Sequence, residues 1–279
     1  MELFLGFSSC PNDAFIFDAL LHGKIDTEGI EFKAVVEDVE TLNQRALKGE
    51  LDLTKLSFHA YGYVTEEYIL LNSGSALGRG CGPLVISKQE LKYSNDWTSE
   101  VSVAIPGKYT TANFLFALAF PSVVRKKELI FSAIEDAVLD ESVDLGVIIH
   151  ENRFTYAQRG LHKVLDLGEY WESETGCPIP LGGIAVKRNL ETDLQLKVDR
   201  ILNRSVQYAI DNPDSSQAYV KELAQEMDEE VMRQHIDLYV NDFSVHLGEE
   251  GRKAINRLFE KASELNIFDP PSKDLVVGF

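Results

Sequence analysis

One stretch of the chain, "GVIIHENRFTY", sets a histidine at the end of a water-avoiding run. Leu145 to Ile149 are apolar or small, and His150 follows at once, ahead of Glu151, Asn152 and Arg153. Apolar flanks disfavour the imidazolium, so they hold a histidine neutral and able to accept a proton near neutral pH. A histidine after a strand also serves simply as a packed or capping residue. Few groups compete for the chemistry. The sequence has no serine nucleophile elbow, no paired-cysteine metal spacing and no HExxH. His22 and His162 fall in polar or turn contexts, and His235 and His246 lie in a helical tail.

Three strand-to-helix turns carry groups that suit an anion. In "AIPGKYTTANFLF" a strand stops at Pro106 and Gly107, and Thr110 or Thr111 starts a helix. N–H groups at a helix start lack intrahelical acceptors and sit at the positive end of the dipole, so a carboxylate or phosphate fits there. A threonine in that position equally serves as an N-cap with no ligand. In "LTKLSFHAYG", Lys55 and Ser57 stand near a strand's carboxyl end, where ligands of open α/β sheets collect. A capping serine and a solvated lysine would look the same, and His59 and Tyr61 suit a core or a pocket alike. In "FSSCPNDAF", Ser8, Ser9 and Asn12 can donate to a ligand, while Asp13 is expected to cap the helix. Arg79 of "SALGRGCGPL" can fork onto a carboxylate or remain a surface charge. Those glycines form a flexible piece and no nucleotide fingerprint, since no helix follows them.

These turns need a scaffold, and the periodicity supplies one. "LFLGF", "IEFKAVVED" and "LDLTKLSF" read as strands. The helices "CPNDAFIFDALLHGK" and "VETLNQRALKGE" lie between them, a βαβαβ pattern that implies a parallel sheet. A polar, aperiodic stretch, Ser87 to Glu100, marks an exit from this unit. A second α/β set runs from "VSVAIPG" through the "TTANFLFALAF" and "SAIEDAVLD" helices to the strand "VDLGVIIH". "CPIPLGGIAVKR" returns to the first unit, and from Leu190 onward the pattern is helical. The expected organisation is a first lobe of residues 1–89 plus 180–279 and an inserted lobe of residues 90–179. Two crossings of that kind enclose a cleft that can hinge.

Bulk composition narrows the partners. The 279 residues are 44% hydrophobic and 26% charged, as in ordinary globular proteins. Net charge is −18, from 45 acids against 27 bases, which repels nucleic acid and anionic membranes but not a small anion held by local dipoles. No run approaches a membrane span, and the N-terminus reads as a strand, not as a signal peptide. Three scattered cysteines predict a reduced, cytoplasmic protein. The helical tail serves packing and dimerisation equally, so oligomeric state is open.

Together "GFSSCPNDAFIF", "EDVETLN", "LTKLSFHAY", "SALGRGCGPLV", "PGKYTTANFL" and "GVIIHENRFTY" resemble the 1,4-dihydroxy-6-naphthoate synthase family of the futalosine route to menaquinone. The resemblance spans most of the first 185 residues, with the motifs in the family's order. It implies an α/β, two-lobed fold like the type II periplasmic binding proteins, with an interlobe cleft and a helical C-terminal region. It also implies cleavage of cyclic dehypoxanthinyl futalosine to 1,4-dihydroxy-6-naphthoate with release of dihydroxyacetone. Carried over by motif, His150 is the proton acceptor, and Lys55, Leu56, Ser57, Thr111 and Ala112 contact substrate. Gaining an aromatic ring drives such a cleavage, so no cofactor is expected. Phe7 or Tyr156 is expected to lie against the flat ring system. Two alternatives stand beside this one: a small-anion solute-binding protein, and the chorismate-dehydrating enzyme of the same pathway, which shares the fold.

Overall fold

A computed structural model describes residues 1–94, 97–224 and 228–278. Asn95 and Asp96, in the polar exit stretch, therefore lie outside the described residues. The chain divides into two compact units, Met1–Gly78 with Pro180–Phe279, and Arg79–Ile179.

The first unit is built on a sheet of β1 (Glu2–Phe7), β2 (Glu31–Val36), β3 (Leu53–Ser57), β4 (Tyr68–Leu70), β5 (Ala76–Gly78) and the long return strand β11 (Ile179–Lys187). Strand order is β2-β1-β3-β11-β4, with β5 also paired to β11. The β1–β2 and β1–β3 pairs are parallel, as crossover helices α1 (Pro11–Leu21) and α2 (Val39–Leu47) require. Helix α1 starts with proline at its first position, where a missing N–H is harmless. Its residues from Pro11 to Leu20 are all buried, so it runs through the unit's interior. Asp38 caps α2 by accepting from the N–H groups of Glu40 and Thr41. A short α3 (Phe58–Tyr61) follows β3 directly.

The C-terminal helices all belong to this unit: α8 (Thr192–Asp211), α9 (Gln217–Leu223), α10 (Glu229–Tyr239), α11 (Asp242–Val245) and α12 (Gly248–Glu264). On α8, Val198, Ile201, Leu202, Val206 and Ala209 recur at helical spacing and are buried. They join Leu5, Phe7, Phe17, Ile184 and Met232 in one core.

The second unit has the sheet order β10-β6-β9-β7-β8, from β6 (Leu84–Ser87), β7 (Ser102–Ile105), β8 (Arg125–Glu128), β9 (Leu145–Ile148) and β10 (His162–Asp166). Helices α4 (Thr111–Ala119), α5 (Ile134–Leu139), α6 (Asn152–Thr155) and α7 (Leu167–Thr175) complete it. Its core gathers Leu84, Ile86, Ala104, Ile134, Val138 and Ile148. The first crossing, expected near residue 90, falls at Gly78/Arg79. The reason is β6, which hydrogen-bonds to β9 and β10 in the second sheet. Among the described residues no helix is long and apolar enough to cross a membrane.

Candidate functional site

In the first unit, the turns after the parallel neighbours β1 and β3 open on the same sheet edge and carry a buried polar cluster. Asp13, fully buried, lies at its centre. One carboxylate oxygen accepts from the Lys55 ammonium at 2.6 Å and the Asn12 amide at 2.9 Å. The other accepts from the Ser8 hydroxyl at 2.7 Å and the Ser8 N–H at 3.2 Å. A buried carboxylate needs such partners, and a cation with three further donors satisfies both of its oxygens. Asp13 therefore does not cap α1, contrary to expectation; the N-cap position falls to Cys10, whose side chain makes no cap bond.

Ser57 occupies the N-cap position of α3 but its hydroxyl makes no cap bond. Asn43 of α2 claims it instead: the Ser57 N–H donates to Asn43 Oδ1 at 2.9 Å, and Asn43 Nδ2 donates to Ser57 Oγ at 3.2 Å. The serine's backbone donor is thus committed, and its hydroxyl proton is what it has left to offer. Leu56 is 0% exposed and ladders with Gly183, so its side chain is core.

In the second unit, β7 and β9 are parallel neighbours, so the turn before α4 and the turn at His150 leave the same sheet edge. Thr110 caps α4: its Oγ1 accepts from the Asn113 N–H at 3.2 Å and donates to Gly107 O at 2.8 Å. Thr111 and Ala112, both buried, occupy the first two helical positions. No carbonyl of the helix can accept from the N–H groups at such positions. Asn113 donates to Lys108 O and accepts from Lys126 Nζ, each at 2.7 Å, which sets an ammonium beside this first turn. The helix start and this ammonium suit a carboxylate, although Glu128 already accepts from the Lys108 N–H at 3.1 Å in the preceding turn.

His150 follows β9 with φ +59°, in the left-handed region. Histidine is among the few non-glycine residues that tolerate it, and such conformations concentrate where function over-determines the backbone. Its half-buried ring meets Phe131 edge-on, with centroids 4.8 Å apart. Arg79 stays in the same unit, where it contacts Glu172 at 3.6 Å and donates to Gly176 O at 3.3 Å, its side chain half exposed.

Some residues differ from expectation. Phe7 is 0% exposed and packs on Phe17 at 4.9 Å, so it is core and not a ring platform. Tyr61, left open above, is core as well, with its hydroxyl donating to Leu275 O. The glycine loop around Arg79 is tied down rather than loose: Gly80 N–H donates to Glu172, and Arg153 donates to the carbonyls of Gly80 and Gly82. His235, set aside as a tail residue, is 1% exposed and bonds to Asn12 Oδ1 through Nε2 at 2.9 Å. Asn43, Arg153 and Asp166 carry no local signal in the sequence, because each acts through partners more than ten residues away along the chain.

A family model described as menaquinone biosynthesis matches residues 3–264. A Thermus thermophilus protein named 1,4-dihydroxy-6-naphthoate synthase is 45% identical over 273 residues, covering 98% of each chain. One of the same name from Streptomyces coelicolor is 42% identical over 264 residues, 93% of this chain and 92% of that one. A solved Archaeoglobus fulgidus protein superposes with a TM-score of 0.89 at 36% identity, covering 96% of this chain and 98% of its own. The alkanesulfonate-binding protein SsuA of Xanthomonas axonopodis pv. citri, bound to MOPS, superposes at 0.71 with 13% identity, covering 98% and 96%, a likeness of fold.

Proposed function

From the premise that this chain belongs to the 1,4-dihydroxy-6-naphthoate synthase family of menaquinone biosynthesis and is an enzyme, we propose its substrate and its base. The substrate is cyclic dehypoxanthinyl futalosine, a small carboxylated molecule. It is cleaved in the cytoplasm to 1,4-dihydroxy-6-naphthoate and dihydroxyacetone. His150, neutral, takes a proton from the sugar-derived portion. The electron pair released flows toward the ring as a carbon–carbon bond breaks, and the aromatic naphthalene forms. General-base catalysis of this kind contributes ~10²–10⁴ in rate, and orientation and charge stabilisation supply the rest. The substrate's carboxylate is received at the start of α4, by the N–H groups of Thr111 and Ala112 and the Thr111 hydroxyl. Ser57, whose own N–H is given to Asn43, is the alternative seat for that carboxylate through its hydroxyl.

The observation that carries this proposal is the left-handed turn at His150, an imidazole set at the carboxyl edge of β9 on the same side as the α4 start. Purified protein incubated with the cyclic futalosine derivative, and separately with chorismate, is followed by mass spectrometry. Naphthoate and dihydroxyacetone form from the first, and chorismate is returned intact. Loss of chorismate would instead assign the pathway's dehydration step. Replacing His150 with Asn keeps folding and ligand binding but lowers kcat by at least ~10²-fold. Near-wild-type turnover in that variant removes His150 as the base.

A further inference from the structure

The proposed chemistry leaves two arginines of "HENRFTYAQR" unused. Arg159 ties the segment back to α5, contacting Glu135 at 2.7 Å and Asp136 at 2.5 Å. Arg153 does more. Its side chain is 16% exposed and its guanidinium donates to three acceptors: Asp166 at 2.6 Å, Gly80 O at 2.9 Å, and Gly82 O. Its own N–H donates to the carbonyl of His150 at 3.3 Å, closing the turn.

The acceptors are themselves fixed. Asp166, 1% exposed in its side chain, uses its other oxygen to cap α7 through the N–H groups of Gly168 and Glu169. Gly82 and Gly168 meet backbone to backbone, and a Cβ on Gly82 would lie 2.2 Å from Gly168 N. The glycine loop, the first turn of α7 and the His150 turn therefore converge on one guanidinium. A planar fork with several donors can span such a set, and an ammonium cannot.

We infer that Arg153 is the positioning residue of the catalytic turn. It holds His150 in its left-handed conformation, and so fixes where the imidazole stands against Phe131. The inference rests on His150 being the proton acceptor. A displaced base is costly: a shift of about 1 Å from a productive geometry can lower turnover ~10²-fold.

Four variants decide the matter, with kcat normalised to folded protein by circular dichroism: Arg153→Gln, Arg153→Lys, His150→Asn, and the Arg153→Gln/His150→Asn pair. Arg153→Gln lowers kcat by ~10²-fold and leaves KM within about threefold. Arg153→Lys recovers little of that. In the His150→Asn background Arg153→Gln removes nothing further, because it acts through the imidazole. If Arg153→Gln fails to fold, Arg153→Lys and Asp166→Asn carry the same comparison. Wild-type kcat in the Arg153 variants beside an inactive His150→Asn overturns this inference and leaves the base in place. A full additive loss in the pair overturns it too. Wild-type turnover in His150→Asn removes the base itself.

Discussion

Asp13 shows what a single buried carboxylate does to the residues around it. It gathers Ser8, Asn12 and Lys55 from separate elements, with no exposure of its own. Lys55 is thereby drawn in as a paired cation, its side chain 9% exposed. A buried pair of this kind adds little net stability over an apolar substitute, yet removing one partner leaves an uncompensated charge in a poor solvent. Asp13→Asn is thus expected to lower unfolding stability by about 3–5 kcal/mol. Adding Lys55→Met to that variant restores part of the loss, since the stranded ammonium is gone. Urea unfolding at pH 7 measures both. An Asp13→Asn protein within about 1 kcal/mol of wild type would show that the ammonium finds water and that burial does not govern this pair.

Elements set donors where side chains alone cannot. The α4 start combines a threonine that caps with a threonine and an alanine whose N–H groups precede any helical acceptor. Thr111→Val preserves shape and deletes the hydroxyl, and the expected result is a KM raised by ~10-fold or more with kcat little changed, in line with a hydrogen bond to a charged group. A loss confined to kcat would move the carboxylate elsewhere. How much of this was legible follows the same division. The βαβαβ start and the amphipathic tail helices were readable because periodicity is a local property, as in Val198, Ile201 and Leu202 of α8. Strand β8, "RKKE", was not, because it is exposed along its length and exists only through its ladder with β7. The Thr110 cap and the His150 turn were legible as positions. Asp13's partner Lys55, 42 residues on, and Arg153's partner Gly82, 71 residues back, were not. Nothing local distinguishes a capping aspartate or a solvated arginine from one aimed at a distant element.

At the scale of the whole molecule, groups sealed in their protonated form make folding sensitive to alkali. Burial pushes the Cys81 thiol up to about 12, and likewise Tyr68 to about 12 and Tyr61 higher still. In the unfolded chain a thiol ionises near pH ~8.5 and a tyrosine near ~10. Above those values the folded state holds more protons than the unfolded one, so stability falls as pH rises. The contribution is fully present below ~pH 8.5 and is lost progressively toward pH 12, first through Cys81 and then through the tyrosines. Cys10, Cys81 and Cys177 are all buried and unpaired with one another in disulfides, the first in one compact unit and the others in the second. Thiolate reagents therefore meet a folded protein whose cysteines react slowly at pH 8, and labelling follows opening of the unit that holds each one. Pulsed alkylation with peptide mapping, run beside urea midpoints at pH 7 and pH 10, is the measurement. The midpoint drops between those two values, and Cys81 labels in step with unfolding. Prompt stoichiometric modification of Cys81 in folded protein, or an unchanged midpoint, would mean that burial does not protect these groups.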